Sequence, residues 1–131
     1  MPAESKGTHL LELGATHGTE KEVKFKVWTP YSKSVELLIV HDDGSQEKIP
    51  MARVDGVFYE VTVSAYHKEI NYFYILDGTK KRPDPLSNYQ PDGVHNYSRT
   101  VMHADFEWTD NRWRGTDIKD YIIYELHVGT F

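Results

Sequence analysis

Three aromatic side chains of this sequence are the best suited to bind a sugar. Trp28 ends the segment Glu22–Trp28 on the parity opposite to its apolar residues, so its ring is expected at the surface. Tyr72 and Tyr74 are two residues apart, which places both on one face of a strand. Flat rings bind sugars by stacking on their apolar faces, although they also fill sheet cores. We therefore predict substrate-binding roles for Trp28, Tyr72 and Tyr74.

The carboxylate and imidazole side chains form no pattern that is typical of a catalytic or metal site. Asp42 and Asp43 are adjacent in an Asp-Asp-Gly-Ser turn, where neighbouring side chains point apart into solvent. His95, His103 and His127 lack the spacing of a metal-binding pair, such as i and i+4 on a helix. The sequence thus predicts no catalytic residue, no metal site and no cofactor.

Composition and charge exclude several classes of partner. The 131 residues include 15 basic and 20 acidic side chains, a formal net charge of -5, without a run of Lys and Arg dense enough to grip phosphates. We therefore expect neither nucleic acid nor a membrane as a partner. The sequence has no cysteine for disulfides or a thiolate zinc site, and residues 1–18 lack the pattern of a secretory signal. These features predict a cytoplasmic protein.

Short alternating segments separated by turn residues predict an all-β fold. Val and Phe alternate with Lys in Glu22–Trp28, the pattern of a strand with one buried face. The pairs Asp55-Gly56 and Asp77-Gly78 are typical of tight turns. Before residue 80, no ten-residue segment has helical apolar spacing, so we predict an antiparallel β-sandwich. Its strands are predicted at His9–Leu13 (an edge), Glu22–Trp28, Ser34–Val40, Gln46–Met51, Val57–Val63 and Asn71–Leu76.

The composition changes after Arg82, where prolines interrupt any regular ladder. Asp84 lies between Pro83 and Pro85, whose fixed φ angles suit a rigid structural linker. The later segment Tyr121–Val128 is apolar without clean alternation, as in a strand that a parallel sheet buries on both faces. Such a strand needs neighbours and crossover helices from a longer chain. We therefore predict a sandwich over residues 1–82, a linker over 83–120 and the first strand of a truncated barrel over 121–131.

Three motifs carry a resemblance to a known enzyme family. They are Phe25–Tyr31 (FKVWTPY), Tyr72–Gly78 (YFYILDG) continued by Arg82–His95 (RPDPLSNYQPDGVH), and Ile123–Phe131 (IYELHVGTF). The first two are typical of N-terminal modules throughout the α-amylase superfamily, including those of branching and debranching enzymes. The QPDGVH run together with the YELHVGTF strand is similar to the maltooligosyltrehalose trehalohydrolases.

The resemblance implies an immunoglobulin-like (early-set) antiparallel β-sandwich in front of a (β/α)8 catalytic barrel. The whole enzyme would hydrolyse the α-1,4 bond next to a terminal trehalose unit and release trehalose from maltooligosyltrehalose. Its two catalytic carboxyl groups, about 5 Å apart in a retaining glycosidase, would lie on later barrel strands. The chain would then be a non-catalytic module whose partners are its own downstream barrel and an α-glucan or malto-oligosaccharide. Glycogen-binding modules of the kinase-associated type carry a tryptophan soon after the Asp-Gly turn. This chain has Lys80 and Lys81 there, so the missing tryptophan implies weak glucan binding.

Three other functions stay open. The chain is alternatively the module of a glycogen branching or debranching enzyme, a free-standing α-glucan-binding module, or an interaction domain that binds no sugar. A free-standing sugar-binding module would need Trp28, Tyr72 and Tyr74 exposed on one face. The segment Tyr121–Val128 lacks the barrel strands that would cover it, so we expect it to pair with an edge of its own sandwich, to pair with a second molecule or to remain mobile. Burial of its apolar side chains favours the first two outcomes.

Overall fold

The chain folds into two antiparallel sheets that pack face to face. The structure is a computed structural model and describes residues 12–18, 21–64, 69–103 and 106–130. These ranges contain no α-helix, and the predicted all-β sandwich is confirmed. The strands are β1 (Gly14–His17), β2 (Glu22–Trp28), β3 (Val35–Val40), β4 (Gln46–Pro50), β5 (Ala52–Val54), β6 (Phe58–Ser64), β7 (Asn71–Leu76), β8 (Lys80–Arg82) and β9 (Ser98–Arg99).

The two sheets differ at their edges. One sheet has the strand order β1-β2-β6-β5, and the other has β4-β3-β7-β8 with β9 also paired to β7. β3 pairs along the whole of β7, so β8 and β9 share the remaining side of β7. β8 pairs with the last three residues of β7, and β9 pairs with its first two. The segment between β8 and β9 therefore runs along this edge of the sandwich.

Alternation along the strands selects the residues of the core between the sheets. Val23, Phe25 and Val27 are buried, as the period-2 pattern of β2 predicts. Lys26, on the outward parity, is also buried, and its Nζ lies 3.7 Å from the Glu60 carboxylate. The core is completed by side chains of both sheets: Val35, Leu37, Ile39, Met51, Tyr59, Tyr72 and Tyr74.

The predicted turns are present where the sequence places them. The Asp43 carboxylate accepts hydrogen bonds from the Ser45 amide at 2.8 Å and the Ser45 hydroxyl at 2.6 Å. It therefore caps the turn between β3 and β4. Asp55 and Gly56 have φ angles of 50° and 73°. This left-handed conformation suits a tight Asp-Gly turn between antiparallel strands.

The segment after Arg82, where the sequence predicts a linker from residue 83, is hydrogen-bonded to the sandwich as far as residue 100. The Arg99 amide donates to the Tyr89 carbonyl at 2.8 Å, and the Thr100 amide donates to the Ile70 carbonyl at 3.0 Å. The Ile70 amide in turn donates to Thr100 Oγ1 at 2.8 Å. Residues 83–100 are thus held to the sheet that contains β7 by backbone and side-chain hydrogen bonds.

Residues 106–130 lie at the surface and contribute to neither sheet. Each of these residues is exposed, and their one regular element is a 3-10 turn at Ile118–Asp120. Tyr121–Val128 is not a strand here, and it does not pair with an edge of the sandwich, which is one of the outcomes that the sequence leaves open. A strand needs a neighbour to complete its hydrogen-bond ladder, and no described segment supplies one. The predicted edge strand His9–Leu13 starts outside the described residues, and the edge position is taken by β1. No helix in the described ranges is long and apolar enough to cross a membrane.

Candidate functional site

The structure separates the three predicted sugar-binding residues. Trp28 is 58% exposed, whereas Tyr72 and Tyr74 are each 1% exposed. The tyrosines face the opposite sheet, where the Phe25 ring packs edge-on against Tyr72 with 4.7 Å between centroids. Neither tyrosine ring presents a face to solvent in this structure. Trp28 alone of the three presents its ring to solvent.

Trp28 borders a cleft at the end of the sandwich where β2 and β7 finish. The cleft has a volume of about 480 Å³, within the range of small-ligand sites. One wall comes from the end of β2, and the other comes from β7, the end of β8 and the segment that follows β8. The lining residues are Val27, Trp28, Thr29, Tyr74, Leu76, Arg82, Pro83, Asp84, Pro85, Gln90 and Val94.

Polar groups on the second wall give the cleft hydrogen-bonding capacity. The Gln90 amide nitrogen donates to the Val94 carbonyl at 3.1 Å, which fixes the turn that carries both residues. The Arg82 guanidinium donates to the Lys81 carbonyl at 2.9 Å and keeps further N–H groups. An exposed indole beside an amide and a guanidinium combines an apolar surface with hydrogen-bond donors. This combination suits an oligosaccharide, whose rings have apolar faces and hydroxyl edges.

Asp84 is the buried polar centre beside the cleft. Its side chain is nearly inaccessible, with 4% of the residue exposed. Its Oδ2 accepts hydrogen bonds from the hydroxyls of Tyr72 at 2.7 Å and Tyr74 at 3.2 Å. Its Oδ1 accepts from the Leu86 amide at 2.8 Å, and its own amide donates to Ser98 Oγ at 3.0 Å. The tyrosine hydroxyls thus have a structural acceptor, which explains their place in the core.

Burial changes the ionisation of this cluster. It raises the pKa of the Asp84 carboxyl above its ordinary value, because desolvation outweighs the hydrogen bonds that favour the charged form. It also raises the pKa of both Tyr72 and Tyr74, and the charge of Asp84 adds to that effect. Both hydroxyls therefore stay protonated and act as donors to Asp84 throughout the physiological pH range.

Replacement of Asp84 with Asn tests the buried charge. A carboxyl whose pKa is raised by folding stabilises the fold in its protonated form, so this contribution is complete at low pH and is lost as the pH rises through the raised pKa. We expect the stability advantage of the native chain over Asp84→Asn to be larger at a pH of about 3 than at about 7. Urea unfolding of both proteins across this range measures it. An advantage that grows with pH would contradict the assignment.

A larger cavity, of about 860 Å³, lies at the opposite end of the sandwich. Its polar lining includes the carboxylates of Asp42, Asp43, Glu47 and Glu69, and no Trp, Tyr or Phe is among its lining residues. Within the described residues, no group of three or more His, Asp or Glu side chains is arranged to hold a metal ion. For a neutral sugar, the smaller cleft beside Trp28 is the better candidate.

The residues that line the cleft opposite Trp28 were not predicted from the sequence. Arg82, Gln90 and Val94 lie within one of the family motifs, yet their contribution to the cleft depends on the path of the chain after β8. The composition of this motif could have indicated such a contribution, because prolines, an amide and a glycine follow directly after a strand. The sequence predicts a structural linker at Asp84, and in the structure this residue is buried.

The chain is similar to parts of several known proteins. Malto-oligosyltrehalose trehalohydrolase of Saccharolobus solfataricus is 41% identical over 86% of this chain, which spans 19% of that protein. A 1,4-alpha-glucan branching enzyme of Deinococcus radiodurans is 32% identical over 94% of this chain, again 19% of that protein. A crystal structure assigned to the alpha amylases, from Salmonella typhimurium, superposes with a TM-score of 0.73 at 24% identity, covering 91% of this chain and 20% of that one. This last likeness supports the fold.

The family model for carbohydrate-binding module 48 (Isoamylase N-terminal domain) matches residues 12–90. That range contains β1 to β8, together with Trp28, Asp84 and Gln90 of the cleft. Since the match covers more than half of the chain and includes both sheets, the chain belongs to the carbohydrate-binding module 48 family.

Proposed function

We propose that this chain is the non-catalytic N-terminal module of a glycoside hydrolase that releases trehalose from maltooligosyltrehalose. The 41% identity to a malto-oligosyltrehalose trehalohydrolase over 86% of the chain carries this proposal. The module would brace the catalytic barrel that follows it in the longer protein. Residues 106–130, with exposed Trp108, Trp113 and Ile122, would lead into that barrel. The cysteine-free composition supports a place in the cytoplasm, which is part of the proposal.

The cleft beside Trp28 is the proposed contact with the α-glucan. Its exposed indole supplies a stacking surface, and Arg82 and Gln90 supply donors for sugar hydroxyls. A single stacked ring at an open site gives a weak complex. We expect a millimolar dissociation constant for malto-oligosaccharides, which corresponds to roughly 4 kcal/mol.

Replacement of Trp28 with Ala tests this contact. We expect Trp28→Ala to weaken maltoheptaose binding by about tenfold, because the stacking surface is removed. Trp108→Ala is the matched control, since Trp108 is 61% exposed but lies outside the cleft. Isothermal titration calorimetry of the three proteins measures the effect. Equal losses in both variants, or none in either, would contradict the assignment of the site.

The second candidate is the module of an α-glucan branching enzyme. The match to the Deinococcus radiodurans branching enzyme, which covers 94% of the chain, favours it. The longer protein that carries this module separates the two candidates by its products. Free trehalose formed from maltooligosyltrehalose supports the first, and α-1,6 branches formed in an α-glucan support the second.

A further inference from the structure

The two walls of the cleft belong to parts of the chain that are attached to different sheets. Trp28 ends β2, whereas Pro85, Gln90 and Val94 lie between β8 and β9. β2 is in one sheet, and β8 and β9 pair with β7 in the other. The separation between the indole and the opposite wall therefore depends on what fixes residues 83–94 against the sandwich.

Asp84 supplies that attachment from both sides. Tyr72 and Tyr74 hold its Oδ2 from β7. On the side of β1, a Cβ added to Gly14 would lie 3.2 Å from the Leu86 carbonyl and 3.7 Å from Asp84 Oδ2, so the backbone of β1 packs directly against this segment. Prolines on each side of Asp84 limit its backbone. In the described residues no cation forms an ion pair with Asp84, so the tyrosine hydroxyls are its side-chain donors.

We propose that Asp84 is a positioning residue for the cleft, and that it holds the wall carrying Pro85 and Gln90 at a fixed distance from Trp28 through its bonds to Tyr72 and Tyr74. This inference rests on the proposed function, because it concerns the same cleft. Tyr72 does not itself line the cleft. Tyr72 does pack edge-on against Tyr74, which lines the cleft, with 5.7 Å between ring centroids. A variant that removes the Tyr72 hydroxyl but keeps its ring preserves this contact, so its effect on a bound sugar passes through Asp84 and the segment around it.

Tyr72→Phe is the decisive variant. It keeps the ring in the core and removes the 2.7 Å hydrogen bond to Asp84. Ile39→Val is the matched control, because Ile39 lies opposite Tyr72 in the β3–β7 register and in the same core, and a deleted methyl group costs a comparable stability. Asp84→Asn serves as the conservative variant at the centre of the cluster. Two properties are measured on each: maltoheptaose affinity, and the nuclear magnetic resonance signals of the Trp28 indole N–H and the Gln90 side-chain amide.

We expect Tyr72→Phe to weaken maltoheptaose binding by about fivefold and to shift both signals, while Ile39→Val leaves affinity and signals near those of the native chain. Asp84→Asn should fall between them, because an amide retains part of the hydrogen-bonding. Equal behaviour of Tyr72→Phe and Ile39→Val would overturn the proposal. If the native chain does not bind maltoheptaose, the proposed glucan contact fails, and the Trp28 and Gln90 signals alone decide whether Asp84 positions the wall.

Discussion

Ending the chain after Arg82 is expected to unfold the sandwich, whereas ending it after His103 is expected to leave its melting temperature within a few degrees. The first truncation removes β9, the Asp84 cluster and the cover of the open edge beside β7. The second removes residues 106–130, each of which is exposed. Surface segments of this kind contribute little to stability.

Ending the chain after Arg82 has a large effect for two physical reasons. Tyr72, Tyr74 and Ile70 each lose a hydrogen-bond partner, at about 1 kcal/mol for each bond. The apolar core behind these groups also becomes accessible to water along the edge that residues 83–100 cover. A small domain has only about 5–15 kcal/mol of stability in total, so the combined loss is expected to abolish folding.

Circular dichroism melts of the two truncated chains and the full chain measure this difference. A stable sandwich that ends at Arg82 would support the boundary that the sequence predicts. Unfolding of the chain that ends at His103 would instead make the C-terminal segment an integral part of the domain. The chain that ends at His103 should also self-associate less than the full chain, since it lacks the exposed Trp108, Trp113 and Ile122.

Phe25→Ala is expected to lower the free energy of unfolding by about 3–5 kcal/mol, the cost of a large cavity in a core. Phe25 is 0% exposed and packs edge-on against Tyr72, so its removal also loosens the core behind the Asp84 cluster. The matched control is Phe106→Ala, because Phe106 is 62% exposed. That control should stay within about 0.5 kcal/mol of the native chain.

Urea unfolding at equilibrium gives both values. A Phe25→Ala variant that loses less than about 1 kcal/mol would mean that the two sheets do not enclose this side chain. A comparable loss in Phe106→Ala would mean that the C-terminal segment packs against the sandwich.

The strands were predictable because their patterns are local. The bounds of β2 and β7 follow the predicted segments, and the alternation within β2 correctly placed Trp28 at the surface. The tyrosines of β7 were harder, because alternation shows that they share a face but not which face is buried. Their burial depends on the sheet that packs over them and on Asp84 as an acceptor ten and twelve residues further along the chain.

Composition alone does not determine whether the residues after Arg82 belong to the sandwich. Proline, aspartate and glycine mark irregular backbone, and irregular backbone occurs both in linkers and in segments that close the edge of a sandwich. Tertiary contacts such as the bond from the Asp84 amide to Ser98 decide between the two. The last apolar segment has the pattern of a buried strand, but a pattern cannot supply the neighbouring strands that a ladder requires.

Nuclear magnetic resonance titration of the ¹⁵N-labelled chain with maltoheptaose tests whether the cleft beside Trp28 binds α-glucan. We expect saturable shifts that are largest at the Trp28 indole, the Gln90 side-chain amide and the Val94 amide. Residues around the acidic cavity, such as Asp43 and Glu69, should stay unshifted. Shifts centred on that opposite cavity, or no shifts at millimolar sugar, would show that the cleft beside Trp28 is not the glucan site.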